Sequence, residues 1–304
     1  MRILHIWDQA GVACTLAKYQ TIAGNESKVI VLAAVDKYGI YDFYKRYCMK
    51  VDGLNFTKTC LSEAENADLI HVHSRSDIYL EAYRKFRRSK KMILHYHGTD
   101  VRGYKGDQLN GMDPARKIVA KSRRTIIKIR NKSRLLRIGY WRSANTEAQK
   151  ISRTTLVATT DLLPLVNHAI YLPTPVDIDH FKEINSLKRE NKALIFNTEI
   201  TNTKQTLKYC KSNDIDLDVE VYDRTKNPIM FKDMPLLLNK YEVYVDIKYV
   251  NNSILQSLSK TALESLACGL QVLDYNLKFR KSLPEEHSPP NISSILSRLY
   301  SRRC

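Results

Sequence analysis

Residues 257–276 read SLSKTALESLACGLQVLDYN and combine a short helical pattern with a short apolar strand. Apolar residues recur at three- and four-residue spacing over 259–268, which is typical of a helix that packs on one face. Gly269 stands where helices commonly end, and the apolar run 271–274 follows at once. A helix that leads directly into an apolar strand is the repeating unit of a parallel α/β sheet. This helix also carries one carboxylate, Glu264, in its middle.

The same alternation runs through the rest of the chain. Short apolar runs alternate with longer stretches of helical periodicity, and runs that are apolar on both faces indicate strands buried between layers of helices. The first series of runs is 2–6, 28–34, 68–73, 92–96, 156–159 and 169–172, and the second is 193–196, 217–221, 242–246 and 271–274. The sequence therefore predicts an α/β protein with two doubly wound parallel-sheet domains.

A proline-containing segment separates the two series of strands, so the domain boundary should lie near 173–185. We predict an N-terminal domain at 1–176 and a C-terminal domain at 177–285. The remaining residues, 286–304, contain an amphipathic pattern at 292–299 that predicts a last helix.

The composition restricts the class of protein. The chain has 304 residues, of which 43% are hydrophobic, and no apolar run reaches the roughly 18–20 residues that span a bilayer. The opening run RILHIW meets Asp8 and is too short for a signal peptide. The six cysteines show no C-x-x-C spacing, which predicts free thiols rather than a zinc site or a disulfide framework. We therefore expect a cytoplasmic protein.

The chain is strongly basic, with 49 Lys and Arg against 32 Asp and Glu and a net charge of +17. Phosphorylated substrates, anionic membranes and nucleic acids are the partners that such a charge attracts. Eleven of the basic residues and no acid fall in 116–142, RKIVAKSRRTIIKIRNKSRLLRIGYWR, where apolar residues are interleaved and Tyr140 and Trp141 close the segment. This pattern is typical of a helix in the interface of an anionic membrane.

Two other interpretations of 116–142 stay open. The segment would serve solubility alone as a solvated basic face, or it would bind RNA. Its aromatic residues sit together at one end rather than interleaved as stacking platforms, which disfavours RNA. We predict peripheral contact with an anionic membrane at its cytoplasmic face, and no nucleic-acid partner.

In open parallel sheets, ligands bind beyond the carboxyl ends of the strands, so the residues that follow each strand are candidate site residues. Gly11 lies in the turn after the first strand. A glycine there either permits a tight turn or lets the backbone approach a substrate closely, and the two roles are compatible. The third and fourth runs lead into IHVHS and LHYHGTD, each with two histidines on one strand face. Zinc sites of this kind need further ligands, and the spacing of the other histidines, His5 included, does not supply them. We therefore predict no metal, with His95 buried and His97 facing the crevice to hydrogen-bond a sugar hydroxyl.

MRILHI with its glycine-containing loop, DLIHVHS, HYHGTD, PTPVDIDHF and LESLACGLQV follow one another in the order found in GT-B glycosyltransferases. Within these, the chain resembles the family 4 group of retaining, nucleotide-sugar-dependent enzymes over nearly its whole length. The resemblance implies two Rossmann-like domains that face each other across a cleft, with the acceptor on the N-terminal side and the donor on the C-terminal side. It also implies that the last helix packs back on the N-terminal domain.

The activity that the resemblance implies is sugar transfer from a nucleotide diphosphate sugar to a glycan or lipid-linked acceptor, with retention of configuration. It implies no cofactor and no obligatory metal. PTPVD stands where the family usually has PNGVD, so Pro173, Val176 and Asp177 match while Thr174 and Pro175 depart.

The resemblance also assigns site residues. Glu264 matches the second glutamate of the family's E-x7-E motif, which binds the ribose of the donor. Gln256 stands where the first glutamate contacts the donor sugar, and it keeps hydrogen-bonding capacity without the charge. His97 matches a histidine that reaches the donor sugar near the reacting carbon. The family's diphosphate-binding Arg and Lys correspond to Glu199, which would repel a diphosphate, and Lys204.

Lys260, at the start of the 259–268 helix, would supply the missing positive charge. The free N–H groups and dipole of a helix N-terminus bind phosphate, and Ser259 and Thr261 offer caps or hydroxyls there. A plainer interpretation makes Glu264 a surface residue in an i, i+4 pair with Lys260.

The departures at Gln256 and Glu199 keep open a non-catalytic GT-B protein that acts as a subunit or scaffold. A sugar-nucleotide epimerase on the same architecture is disfavoured, because the strand ends carry no convincing carboxylate pair for acid/base chemistry.

Overall fold

The computed structural model describes residues 1–102, 144–198, 202–250 and 253–301, which form two main sheets covered by helices. The basic segment 116–142 and Glu199 lie outside the described residues. The strands are β1 (Arg2–Ile6), β2 (Glu26–Leu32), β3 (Cys48–Val51), β4 (Leu69–His73), β5 (Lys91–Tyr96), β6 (Thr155–Val157), β7 (Ala169–Tyr171), β8 (Glu190–Asn197), β9 (Val219–Asp223), β10 (Tyr241–Val245), β11 (Tyr249–Val250), β12 (Ser253–Ile254), β13 (Gln271–Leu273) and β14 (Phe279–Arg280). The helices are α1 (Val12–Ile22), α2 (Ile40–Phe43), α3 (Phe56–Asn66), α4 (Ser76–Phe86), α5 (Thr99–Arg102), α6 (144–151), α7 (Thr203–Lys211), α8 (Met234–Leu238), α9 (Lys260–Ala267) and α10 (Pro289–Ser301).

The first sheet has seven parallel strands in the order β3-β2-β1-β4-β5-β6-β7. The chain moves outward from β1 to β3 on one side and then restarts at β4 on the other. This reversal next to β1 is the switch point at which parallel sheets open a crevice. The last helix, α10, returns to this sheet, where Ile292 and Leu296 pack with Val12 and Leu16 of α1.

The second sheet has five strands in the order β14-β13-β10-β8-β9, parallel except for the antiparallel pair β13–β14. Its switch point lies between β8 and β10. The short strands β11 and β12 form a separate antiparallel pair. The predicted α/β class with two parallel sheets is therefore confirmed, whereas the boundaries at 1–176, 177–285 and 286–304 stay a prediction.

Side chains from the two sheets share one apolar cluster, in which Tyr41 and Tyr44 meet Phe231 and Met234. Asp177, from the PTPVD segment, adds a polar anchor: it is 1% exposed and accepts hydrogen bonds from Lys18 Nζ at 2.6 Å and Tyr44 Oη at 2.7 Å. The segment that links the sheets is thereby fixed to α1.

Two sequence expectations concern the cellular setting. In the described part of the chain, none of the helices has the length and apolar character needed to cross a bilayer. Five of the six cysteines are described, and they are free thiols, as the spacing predicted.

Candidate functional site

A cavity of about 350 Å³ opens between the carboxyl ends of the two sheets, and we call it the cleft cavity. From the first sheet it is lined by residues that follow β1 and β2, and from the second by residues that follow β9 and by the first turns of α9. Its charged lining residues are Asp8, Asp36, Lys37, Arg224, Lys260 and Glu264.

The turn after β1 is held by a carboxylate that the sequence interpretation did not single out. Asp8 is 3% exposed and accepts the backbone N–H groups of Gly11 at 2.6 Å, Ala13 at 2.7 Å and Cys14 at 3.3 Å. Burial raises the pKa of Asp8, while the charge of Lys260 opposes the rise. The N-terminus of α1 is therefore already occupied by an internal carboxylate, so a phosphate would have to bind elsewhere in the cleft.

Gly11 occupies a position that disfavours a side chain because of its backbone conformation, and a side chain there would also displace Lys260. Its φ of 82° is left-handed, and a Cβ there would lie 2.9 Å from Lys260 Nζ. Lys260 Nζ donates to the carbonyl oxygen of Ala10 at 2.5 Å, so the side chain of α9 rests on this turn. Gly11 therefore forms a tight turn and also lets the Lys260 side chain lie close to the backbone.

The N-terminus of α9 is built by Ser259 and Asp246. The Ser259 hydroxyl oxygen accepts the N–H of Ala262 at 3.2 Å, which caps the helix. The N–H and hydroxyl of Ser259 in turn donate to Asp246, directly after β10, at 2.7 and 2.6 Å. The hydroxyl of Ser259 is thus committed to the protein, whereas Thr261 and Lys260 line the cleft cavity.

Glu264 is 5% exposed and lies one turn after Lys260, with 3.4 Å between its Oε1 and Lys260 Nζ. Burial raises its pKa, and the charges of Lys260, Arg224 and Lys248 oppose the rise. The interpretation of Glu264 as a surface residue is therefore wrong, because this face of α9 packs into the cleft. Glu264 is a buried carboxylate in the cavity wall.

Arg224 is a second lining cation that sequence reasoning missed. Its guanidinium lies 4.4 Å from the ring centre of Tyr38 and 5.2 Å from that of Phe196. Its Nε is buried and has no hydrogen-bond partner among the described residues. A held guanidinium with an unused donor suits an anionic ligand. The sequence could have indicated Arg224, because it directly follows β9 and ligands bind at the carboxyl ends of parallel strands.

His97 follows β5 directly and is half-buried, while His95 is 1% exposed. Asp100 of the HGTD motif shapes this loop: it accepts the N–H groups of His97 at 2.9 Å and Gly98 at 2.7 Å, and the Ser74 hydroxyl at 2.6 Å. Asp100 therefore ties the ends of β4 and β5 together. Burial lowers the pKa of His97 to about 4, so its imidazole is neutral at pH 7.

The histidine spacing along the chain proved misleading. His5 pairs in register with His71 across β1 and β4, and its ring centre lies 4.9 Å from that of His71 and 5.2 Å from that of His73. Strand order, which spacing does not reveal, brings a fifth histidine to the two His-x-His pairs.

Of the predicted site residues, Lys260, Thr261 and Glu264 line the cleft cavity, and Ser259 caps the helix that carries them. Gly11 lies beside Lys260 in the turn that borders the cavity. The others do not line this cavity. Gln256 is exposed and borders a separate cavity of about 290 Å³ that shares no lining residue with the first. Lys204 is exposed on α7. His97 lies at the carboxyl end of β5, an interior strand of the first sheet.

No protein-family model matches the sequence, and no curated protein does either. Among solved structures, HepE of Anabaena in complex with UDP-glucose aligns with a TM-score of 0.51 and 11% identity, covering 99% of this chain and 91% of that one. An alpha-glucosyltransferase (AGT) in complex with UDP aligns with a TM-score of 0.51 and 11% identity, covering 100% of this chain and 92% of that one. Identities this low speak for the fold alone. The chain thus has the predicted GT-B fold, while its family 4 resemblance stays a prediction.

Proposed function

We propose that the chain is a glycosyltransferase that moves a sugar from a nucleotide diphosphate sugar to a glycan or lipid-linked acceptor. The observation that carries the proposal is the convergence of Glu264, Lys260 and Arg224 in one cavity between the two sheets. A carboxylate beside two cations suits a ligand that joins sugar hydroxyls to a diphosphate. The complexes of HepE with UDP-glucose and of the alpha-glucosyltransferase with UDP support a donor of this class.

Each residue has a defined part in this proposal. Glu264 accepts hydrogen bonds from the ribose hydroxyls of the donor. Lys260, with the N-terminus of α9, and Arg224 neutralise the diphosphate and supply the charge that Glu199 lacks at the family's usual position. We propose that Lys260 and Arg224 contact the diphosphate directly and that its binding uses no metal.

The transfer itself rests on positioning and electrostatics. Neutral His97 hydrogen-bonds the donor sugar near the reacting carbon. Gln256, which the resemblance assigns to the same sugar, borders a separate cavity and would have to move to reach it. We propose transfer with retention, in which the acceptor attacks the face that the diphosphate leaves. The leaving diphosphate is then stabilised by Lys260 and Arg224 as its charge develops.

A non-catalytic GT-B protein that only binds the nucleotide sugar is the second candidate function. The exposure of Gln256 and its separation from the cleft cavity favour it, because the family places an acid at this position to contact the donor sugar.

One screen tests both candidates. The protein is heated with UDP-, GDP-, ADP- and dTDP-sugars, and any donor that binds the folded state should raise the unfolding temperature. The binding donors are then incubated with glycan and polyprenyl-phosphate acceptors, and released nucleotide is measured by mass spectrometry. Stabilisation with nucleotide release supports the transferase. Stabilisation without release supports the non-catalytic protein, and no stabilisation by any donor contradicts both.

A further inference from the structure

Five histidines form a continuous cluster on one face of the first sheet. His5 lies on β1, His71 and His73 on β4, and His95 on β5, with His97 directly after it. Neighbouring ring centres are between 4.1 and 5.3 Å apart. The first four side chains are at most 1% exposed, and His97 is half-buried. Such a set of polar rings stands where a parallel sheet ordinarily has apolar side chains.

The cluster contains buried nitrogens without a protein partner. Both ring nitrogens of His95 and both of His71 lack a hydrogen-bond partner among the described residues. A neutral imidazole has one donor and one acceptor, and leaving them unpaired in a core is costly. Buried groups of this kind call for an ion or ordered water.

Three of the rings can share one ion at the carboxyl edge of the sheet. One ring nitrogen from each of His73, His95 and His97 lies within 4.8 Å of the other two. His73 Nδ1 and His97 Nε2 are 2.9 Å apart. With bonds of about 2.0–2.1 Å, tetrahedral zinc places its nitrogen ligands roughly 3.3 Å from one another. Small rotations of these side chains would therefore reach that arrangement.

A chain of hydrogen bonds presents the lone pair of His73 to this point. The Gln20 amide is oriented by its Nε2, which donates to Tyr300 Oη at 2.8 Å, and by Ser27 Oγ, which donates to Gln20 Oε1 at 2.7 Å. Gln20 Oε1 also lies 2.8 Å from His5 Nε2, which must donate to it. His5 Nδ1 then accepts from His73 Nε2 at 3.0 Å.

His73 Nδ1 consequently carries no proton and faces His97. Metal-bound histidines characteristically donate their other ring N–H to a fixed acceptor, and His5 is that acceptor here.

The histidines His5, His71 and His73 are also close enough to hold an ion. The hydrogen-bond chain does not choose between the two positions, because one proton lies between His5 and His73 and another between His97 Nε2 and His73 Nδ1. Access to the ion does choose between them. All three rings are fully buried, whereas half-buried His97 gives the other triad a route of access.

We propose that His73, His95 and His97 bind one divalent transition-metal ion of the zinc class at the carboxyl edge of the first sheet. His5 and Gln20 orient His73, and three nitrogen ligands leave a fourth position for water or a substrate oxygen. The site shares His97 with the proposed donor contact, so an ion on His97 Nε2 leaves Nδ1 as the ring nitrogen for the sugar. The metal titration below needs no donor and therefore tests this site separately from the proposed function. The prediction of no metal counted ligands along the sequence, which misses ligands supplied by neighbouring strands.

The test is a titration of the full chain, purified without a metal-affinity column and treated with EDTA, with Co²⁺ and Zn²⁺. We expect one Co²⁺ per chain, visible d–d absorption, and competition by Zn²⁺. His95→Phe should weaken Co²⁺ binding at least 100-fold. His71→Phe is the matched control, since it removes a ring that is equally buried and equally unpaired, and it should bind as the wild type does. His5→Phe should weaken binding about 10–100-fold by releasing the orientation of His73.

Three results would overturn the proposal. They are no binding by the wild type, binding retained in His95→Phe, and binding lost in His71→Phe. If circular dichroism shows that His95→Phe does not fold, His97→Ala at the half-exposed edge replaces it under the same criterion. Absence of Co²⁺ binding by the wild type overturns the proposal whatever the variants do, because histidines that bond only to one another would leave Co²⁺ unbound.

Discussion

The two lysines that sequence reasoning offered for the diphosphate differ sharply in their surroundings. Lys260 lies in the cleft cavity, between the carbonyl oxygen of Ala10 and the carboxylate of Glu264, while Lys204 is exposed outside it. We therefore expect Lys260→Met to weaken UDP binding about 10–100-fold, the range for losing a hydrogen bond to a charged group. Lys204→Met is the matched control and should stay within about twofold by the same reasoning. Titration calorimetry with UDP measures both, and the reverse ranking would exclude Lys260 as the diphosphate ligand.

The burial of Glu264 predicts a pH dependence of stability. Burial raises its pKa above the ordinary 4.5, so between those two values the folded protein binds more protons than the unfolded chain. The contribution of Glu264 to the free energy of unfolding is then complete below the ordinary pKa and is lost as pH rises through the folded pKa. Lys260, Arg224 and Lys248 face the carboxylate and limit the loss.

Glu264→Gln removes this titration and leaves the rest of the chain unchanged. The free energy of unfolding of the wild type minus that of the variant should therefore fall from pH 4 to pH 7. Urea unfolding at a series of pH values measures the difference, and a constant or rising difference would show that Glu264 ionises as an exposed glutamate does.

The first turn of helix α9 is held in place by Ser259 and Asp246. Ser259 caps it and also satisfies Asp246, which is 2% exposed. Ser259→Ala should cost about 1–2 kcal/mol of stability through the lost cap. It should also weaken UDP binding, because the helix N-terminus frays beside the ligand. Asn202 caps α7 in the same way, because its side-chain oxygen accepts the N–H of Gln205. Asn202→Ala removes this cap at a site outside the cleft cavity.

We expect the Asn202 variant to lose stability without losing UDP affinity. Thermal unfolding and UDP titration of both variants separate the two effects. Equal loss of affinity in both would mean that the cap of α9 has no particular role in the site.

Most strands that could be predicted from the sequence are buried on both faces, although β7 and β9 were predicted too and have no fully buried residue. β1, β4 and β5 are mostly apolar runs interrupted by histidines, and seven of the eleven residues of α1 are buried, so their positions follow from the apolar pattern. Strand β3, CMKV, and helix α3, FTKTCLSEAEN, were not predicted. β3 has one buried residue of four and shows no apolar alternation. The buried residues of α3 do repeat every four positions, but they are only three of eleven among polar neighbours, so the repeat was overlooked.

The same reasoning explains which site residues were found. Glu264, Lys260 and Gly11 stand in motifs that local sequence reveals, whereas Arg224 and His5 acquire their partners through the fold. Asp8 was overlooked although its partners are only three to six residues away. Asp8 acts on backbone groups of the next turn, and Arg224 meets Tyr38 from the other sheet. His5 meets its neighbours through strand order. Contacts between distant segments depend on register and sheet order, which a single sequence specifies only indirectly.

For the whole molecule, the net charge of +17 predicts a partner that is larger than one donor. The cleft cavity is close to balanced, with Lys37, Arg224 and Lys260 against three carboxylates, so the excess lies outside it. Segment 116–142 holds eleven basic residues and no acid. Each basic residue near an anionic bilayer contributes about 1 kcal/mol, so a few of them suffice for peripheral binding.

We therefore expect the protein to bind vesicles that contain phosphatidylserine at low salt and to be released as salt shortens the Debye length from about 30 Å at 0.01 M to about 10 Å at 0.1 M. Four charges within the segment are reversed by changing Arg123, Arg124, Arg130 and Arg134 to Glu. This variant should not bind, since the change both removes attraction to the membrane and adds repulsion. The control reverses four exposed charges elsewhere and leaves the segment intact: Lys58, Arg88, Lys211 and Lys281 to Glu. Both variants have the same net charge, so co-sedimentation compares location alone. Equal binding by the two would place the membrane contact outside 116–142, and no binding by the wild type would leave the segment as a solvated basic face.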